Sequence, residues 1–223
     1  HGIAASMMIY RRLVPLLSNS YRVTCLDIPG FGSSEKPERL SYGLDEQATH
    51  LAAVSGALGL KSPLVVASSM GGAIALKTAL DHSAIFRGLV TMAPAVDPRR
   101  IPFLILPFTR INLPYHRAHT AALVRTVVHQ VISRRELITP ALVALYREPY
   151  LDSGASTSAL LKGFRLLADL RMPMLFRDLQ TPLLIVRGLT DRLVKHSSCE
   201  NLRRVVPRAQ FVTHPSAGHH IME

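Results

Sequence analysis

The sequence predicts an α/β fold: a mostly parallel sheet with helices on both faces, carrying a helical lid insertion. Three observations lead there. Short β-branched apolar runs alternate with helical patterns at the interval of parallel crossovers. One of these runs, Leu64 to Ala67, enters a tight turn of small residues and continues directly as an alanine-rich helix. The alternation then stops between about Asp97 and Asp178, where the chain is helical, arginine-rich and punctuated by proline. The expected organisation is a core over 1–96, a helical lid insertion over 97–178 and a second core part over 179–223.

In chain order, Ser6 to Leu17 reads as a helix opened by a capping serine, and Tyr21 to Leu26 as a strand. Leu44 to Leu58 has apolar residues at helical spacing. Leu64 to Ala67 is a strand, Met70 to Leu80 the helix after the turn, and Gly88 to Met92 the next strand. Within the insertion, Phe103, Leu104, Leu106, Phe108, Leu123, Val127, Leu142 and Leu145 form an apolar face, for most of them simply the insertion's own core. Leu183 to Val186 and Gln210 to Thr213 are the last strands, with a helix between them. No repeat or low-complexity tract is evident.

Composition narrows the function. With 223 residues, 48% of them hydrophobic, the chain can bury a substantial core and is not disordered. Its formal charge is +11, but the excess arginine is scattered, no basic run is interleaved with aromatics, and there is no Trp. A generally basic surface is therefore expected rather than a nucleic-acid partner. Cys25, in a predicted strand, and Cys199, in a predicted helix, have neither metal-ligand spacing nor a disulfide framework and read as free buried thiols. No metal is expected: His116 and His119 are three apart but lack a third ligand. No apolar stretch approaches the ~20 residues of a membrane span. Ile101 to Phe108 with the basic insertion would allow only weak peripheral contact with an anionic surface. The chain begins at His1 without an initiating methionine, so localisation is left open, leaning to the cytoplasm, and oligomeric state is undetermined.

The chemistry centres on Ser69. A strand that turns sharply into a helix presents a serine hydroxyl out of the sheet, and the helix start aims free N–H groups at the same place. Small neighbours are required there, which Gly71 and Gly72 satisfy; Ala67 stands where a further glycine is usual. A serine needs a histidine to take its proton and a carboxylate to hold that histidine. Asp191, in the loop after Leu183 to Val186, and His219, after Gly218 in the loop beyond Gln210 to Thr213, would emerge at the same sheet edge. Asp191 is favoured as the acid, with Asp97 in reserve, and His219 is favoured over His220. The developing oxyanion would meet the backbone N–H groups of Met70 and Ile3.

These pieces resemble the α/β-hydrolase fold family, in the lidded group that includes esterases, lipases and carbon–carbon bond hydrolases. The resemblance rests on His1-Gly2, the segment Asp27 to Ser34, Ser69-Met70-Gly71-Gly72, Gly188 to Asp191 and Gly218-His219, in the family's order of serine, acid and histidine. It implies a cofactor-independent serine hydrolase acting on a small-molecule substrate, an apolar carboxylic ester, through an acyl-enzyme. The alternatives are a carbon–carbon bond hydrolase of ring-cleavage products and a non-catalytic binding module on the same fold. Serine at the nucleophile argues against the related dehalogenases and epoxide hydrolases, which carry aspartate. The family's central strand before the His-Gly turn has no counterpart here. A gap in the sheet is therefore expected, and with it a fragment of a longer protein that is unstable or aggregates when expressed alone.

Overall fold

A computed structural model of the chain describes residues 1–97, 117–150 and 154–223. Four strands form the sheet: β1 (Leu64–Ser68), β2 (Gly88–Met92), β3 (Leu183–Gly188) and β4 (Gln210–His214). Their spatial order follows the chain order and every pair is parallel. The register sets Val66 opposite Val90, Val90 opposite Leu184 and Val186 opposite Val212. All four carboxyl ends thus share one edge, where open parallel sheets bind their ligands.

The helix α3 (Met70–Asp81) returns the chain from β1 to β2, and each of its residues from Met70 to Ala79 is buried. A helix covered all round lies in the middle of a fold, and the run of alanine and glycine lets it approach the sheet closely. Against it packs α2 (Leu44–Ala57), tied by the Thr78 hydroxyl donating to the Ala48 carbonyl at 3.2 Å. Between β3 and β4 runs α8 (His196–Val205), which buries Cys199; Cys25 is half-buried, and both thiols are free.

Two expected elements differ. Tyr21 to Leu26 is not part of the sheet. It runs beside the outer edge of β1 across a cavity of about 1060 Å³, which Val23 and Cys25 line from one side and Val65 and Ala67 from the other. A strand is stabilised by its ladder and its cross-strand pairs rather than by β-propensity alone, and with the neighbouring position open this segment has no ladder to join. The gap expected from the sequence is this cavity. Ser6 to Leu17 is likewise broken, into a 3₁₀ turn (Met7–Tyr10), where the Ser6 hydroxyl accepts the Met8 N–H, and a short α1 (Leu13–Ser18). Pro15 has no N–H for the Arg11 carbonyl, so one α-helical ladder cannot span the segment.

Between β2 and β3 the described residues are helical: α4 (Arg117–Val131), α5 (Pro140–Arg147), α6 (Gly154–Leu167) and α7 (Met172–Leu175). Thr139 caps α5 by accepting from the Leu142 N–H, and Pro140 occupies its first turn. Leu142 is buried, and Val127 and Leu145 pack against the core. A Cβ on Gly163 of α6 would lie 2.7 Å from Phe31 and 3.3 Å from Ile3, so α6 presses on the loops beside the carboxyl edge. The Tyr150 hydroxyl reaches the Ala5 carbonyl at 3.1 Å in the same region. Ile101, Phe103, Leu104, Leu106, Phe108 and His116 lie outside the described residues, as do the side chains of His119 and Leu123.

Candidate active site

Ser69 joins β1 to α3 with φ 54° and ψ −119°, a backbone state that side chains rarely adopt. Such a state costs roughly 1–3 kcal/mol and persists only where its surroundings impose it. They do. The Ser69 N–H donates to the Met92 carbonyl at 2.9 Å, and the Ser69 carbonyl accepts from Ala95 at 3.1 Å, Gly72 at 3.0 Å and Ala73 at 3.3 Å. Contact requires glycine at 71, where a Cβ would lie 2.6 Å from the His1 carbonyl oxygen, and favours it at 72, where one would lie 3.0 Å from Pro94. Ala67 is buried at the place where a third glycine is usual.

The His1-Gly2-Ile3 turn lies against the serine. A Cβ on Gly2 would sit 3.0 Å from Ser69 Cβ and 3.4 Å from Oγ, so the absence of a side chain eases this close approach of the turn. The ring of His1 fixes the turn, with Nδ1–H donating to the Gly2 carbonyl at 2.8 Å and Nε2 accepting the Ile28 N–H at 3.0 Å. That tautomer is neutral, so the 3.6 Å approach of Nε2 to Asp27 is not an ion pair. The Asp27 carboxylate instead accepts the N–H groups of Met7 at 2.6 Å and Ser33 at 2.9 Å. Asp27 to Ser34 is therefore a structural turn beside the site. Among the described residues no protein acceptor engages the N–H of Ile3 or of Met70, leaving both donors available next to Ser69.

At the other strand ends, Asp191 and His219 meet. Asp191 Oδ2 lies 2.9 Å from His219 Nδ1, and the two side chains are 1% and 3% exposed. Asp191 Oδ1 accepts the N–H groups of Leu193 at 2.8 Å and Val194 at 3.0 Å. Burial alone would raise its pKa; the His219 charge and hydrogen bond, with those two N–H groups, outweigh burial and hold it below the usual carboxylate range. Gly188 makes the meeting possible, since a Cβ there would lie 2.0 Å from the Ala217 carbonyl oxygen. Thr190 then clasps the same carbonyl with its N–H at 3.1 Å and its hydroxyl at 2.8 Å. Asp97, the reserve acid, is buried and accepts from Asn201 at 3.3 Å, while the carboxylate bonded to His219 is that of Asp191.

The family model for the alpha/beta hydrolase fold matches residues 1–223. The chain is an α/β-hydrolase. It is 25% identical, over its whole length and 82% of the relative's, to the uncharacterised hydrolase YugF of Bacillus subtilis. It is 24% identical, over its whole length and 81% of the relative's, to 2-(acetamidomethylene)succinate hydrolase of Mesorhizobium japonicum. Among solved structures it resembles a variant of the meta-cleavage product hydrolase CumD, with a TM-score of 0.80 at 26% identity over 98% of this chain and 81% of that one.

This α/β-hydrolase brings to the site His220, which sequence alone ranks second to His219, and Tyr146 and Glu223, which no motif marks. The ring of His220 stacks on that of His219, with centroids 5.5 Å apart and planes inclined by 26°. Its Nε2 would lie 3.8 Å from a Cβ on Gly2, the point that is also 3.4 Å from Ser69 Oγ. His220 Nε2 and the Ser69 hydroxyl thus both lie near Gly2, and the His220 ring stacks on the histidine of the Asp191–His219 pair. Its Nδ1 is 2.7 Å from the hydroxyl of Tyr146 on α5, which is 3.3 Å from Glu223 Oε1. Both carboxylate oxygens of Glu223 accept from Arg11. The His220 N–H donates to the Val131 carbonyl at 3.0 Å, and a Cβ on Gly218 would meet Ser133 Oγ at 2.2 Å. The histidine loop is therefore gripped by the β3 loop on one side and by the end of α4 on the other. The only available signal for Tyr146 and Glu223 was their residue type, because 74 and 77 positions separate these partners.

Proposed function

We propose that this hydrolase is a serine enzyme that cleaves a carboxylic ester of apolar character through an acyl-enzyme. The observation that carries the reading is the buried 2.9 Å Asp191–His219 pair at the same sheet edge as a serine held at φ 54°. In this reading Asp191 accepts Nδ1–H of His219 and so leaves Nε2 unprotonated, the tautomer that can take the proton of Ser69. Oγ attacks the ester carbonyl, and the oxyanion is received by the N–H groups of Ile3 and Met70, each contributing roughly 10²- to 10³-fold in rate. His219 next gives its proton to the leaving alkoxide. Water, deprotonated by His219, then releases the acid and restores Ser69. The apolar residues packed around α4 to α6 support an apolar acyl or alcohol group. No cofactor takes part in these steps.

A second reading, hydrolysis of a carbon–carbon bond in a ring-cleavage product, is favoured by the likeness to CumD and by a 36% identical stretch of 62 residues shared with 2-hydroxy-6-oxo-2,4-heptadienoate hydrolase of Pseudomonas putida. The experiment treats the protein with a fluorophosphonate and assays a nitrophenyl ester series beside a vinylogous diketone. Labelling at Ser69 with ester turnover supports the first reading, and turnover of the diketone alone supports the second. No labelling of folded protein overturns both in favour of a binding module.

A further inference from the structure

We propose that His220 is a substrate-contacting residue: a neutral imidazole whose unprotonated Nε2 accepts a hydrogen bond from a hydroxyl or N–H on the acyl part of the substrate. The proposal rests on the reading above for the position of the acyl group, beside Ser69 and Gly2. It is supported by the hydrogen-bond chain behind the ring. Glu223 is bound to Arg11 through both oxygens, with a side chain 1% exposed, and as a carboxylate it can only accept. The Tyr146 hydroxyl has one proton and lies within reach of both Glu223 and His220. In the proposed arrangement that proton goes to Glu223 at 3.3 Å, so that the tyrosine oxygen accepts from Nδ1–H of His220 at 2.7 Å. The neutral imidazole then has its lone pair on Nε2.

The atom so prepared has no hydrogen-bond partner among the described residues, although His220 is 4% exposed. It borders the point that lies 3.4 Å from Ser69 Oγ. In the proposed complex the donor stands on the acyl part near that point, close to the carbonyl under attack. Burial, and next the charge of His219, hold the His220 pKa well below its ordinary value, so the ring remains an acceptor in neutral solution. Burial, followed by the charge of Glu223, raises that of Tyr146 well above the usual value, so its hydroxyl keeps the proton the chain needs. His219 and the amino group of His1 act on the ring directly, and Glu223 and Arg11 reach it through Tyr146.

Two measurements test the proposal. Long-range ¹H–¹⁵N correlation spectra of the ¹⁵N-histidine-labelled chain are expected to show His220 as the Nδ1–H tautomer at neutral pH, with that preference lost in Tyr146→Phe. An Nε2–H tautomer or a charged ring overturns the proposal, whatever the protein catalyses. In a Ser69→Ala background, which cannot turn over, binding of methyl 2-hydroxyhexanoate is compared with that of methyl hexanoate by calorimetry. One hydrogen bond contributes about 0.5–1.5 kcal/mol, so the hydroxy ester should bind roughly two- to tenfold more tightly. Adding His220→Phe, which keeps a stacking ring without the acceptor, should bring the ratio to about one. A ratio already near one with His220 present, or unchanged by its replacement, overturns the proposal. If His220→Phe fails to fold, Tyr146→Phe in the same background serves, and there too an unchanged ratio overturns it. Failure of fluorophosphonate labelling would count against the serine mechanism and leave both readouts here intact.

Discussion

Replacing Asp191 by Asn keeps the shape of a buried side chain while changing which atoms it offers. Oδ1 of Asp191 accepts two backbone N–H groups, from Leu193 and Val194, and an amide can satisfy both only by placing its carbonyl oxygen there. Its NH₂ must then face His219 Nδ1, where Oδ2 stands now at 2.9 Å. Facing a donor, Nδ1 becomes the acceptor, the ring proton moves to Nε2, and the imidazole can no longer take a proton from Ser69. A serine enzyme forced into the wrong histidine tautomer in this way loses about 10⁴-fold in kcat. Four factors of ten at 1.36 kcal/mol each come to about 5.4 kcal/mol of transition-state stabilisation. The assay is steady-state hydrolysis of a nitrophenyl ester by the wild-type and D191N proteins, with circular dichroism to establish that both are folded. KM should change little, because Asp191 does not touch substrate in this account. A folded D191N protein retaining kcat within about tenfold of wild type would refute the reasoning.

Ser69→Gly should abolish ester hydrolysis yet stabilise the fold by about 1 kcal/mol, because glycine adopts φ 54° without the side chain's strain; an unchanged or lower midpoint in urea would contradict this. Gly188→Ala drives a methyl to 2.0 Å from the Ala217 carbonyl oxygen, a backbone atom, and should cost at least about 2 kcal/mol and activity together, read by urea unfolding and ester turnover. His220 has a depressed folded-state pKa, so below its ordinary value of about 6.5 the unfolded chain takes up the proton first and stability falls with pH. Thermal unfolding between pH 7 and 5 should therefore fall less steeply in His220→Gln than in wild type, and equal slopes would count against it. Asp191 has a lowered pKa, so its contribution is present above about pH 4 and lost below it; acid unfolding of D191N should accordingly show a shallower loss of stability from pH 5 to 3.

Much of this site could be read in the sequence because its parts are local. The turn at Ser69 needs small residues on both sides, and Gly71 and Gly72 are where the His1 carbonyl and Pro94 favour them. The pairing of Asp191 with His219 followed from strand ends that a parallel sheet must bring to one edge. What escaped the sequence is what depends on distant partners. Tyr21 to Leu26 has strand composition but no neighbour to pair with, and propensity without a ladder leaves it outside the sheet. Ser6 to Leu17 has helical spacing, yet one missing N–H at Pro15 divides it. The His220–Tyr146–Glu223–Arg11 chain joins elements more than 70 residues apart, and neither periodicity nor spacing announces such a contact.

The central claim, that Ser69 becomes covalently acylated, is tested most directly by quenching the protein with acid during turnover of a short nitrophenyl ester and mapping the adduct by peptide mass spectrometry. The account predicts one acyl group on the peptide containing Ser69, and none in Ser69→Ala. Ester turnover with no acyl group on that peptide, or with the group attached elsewhere, would contradict it.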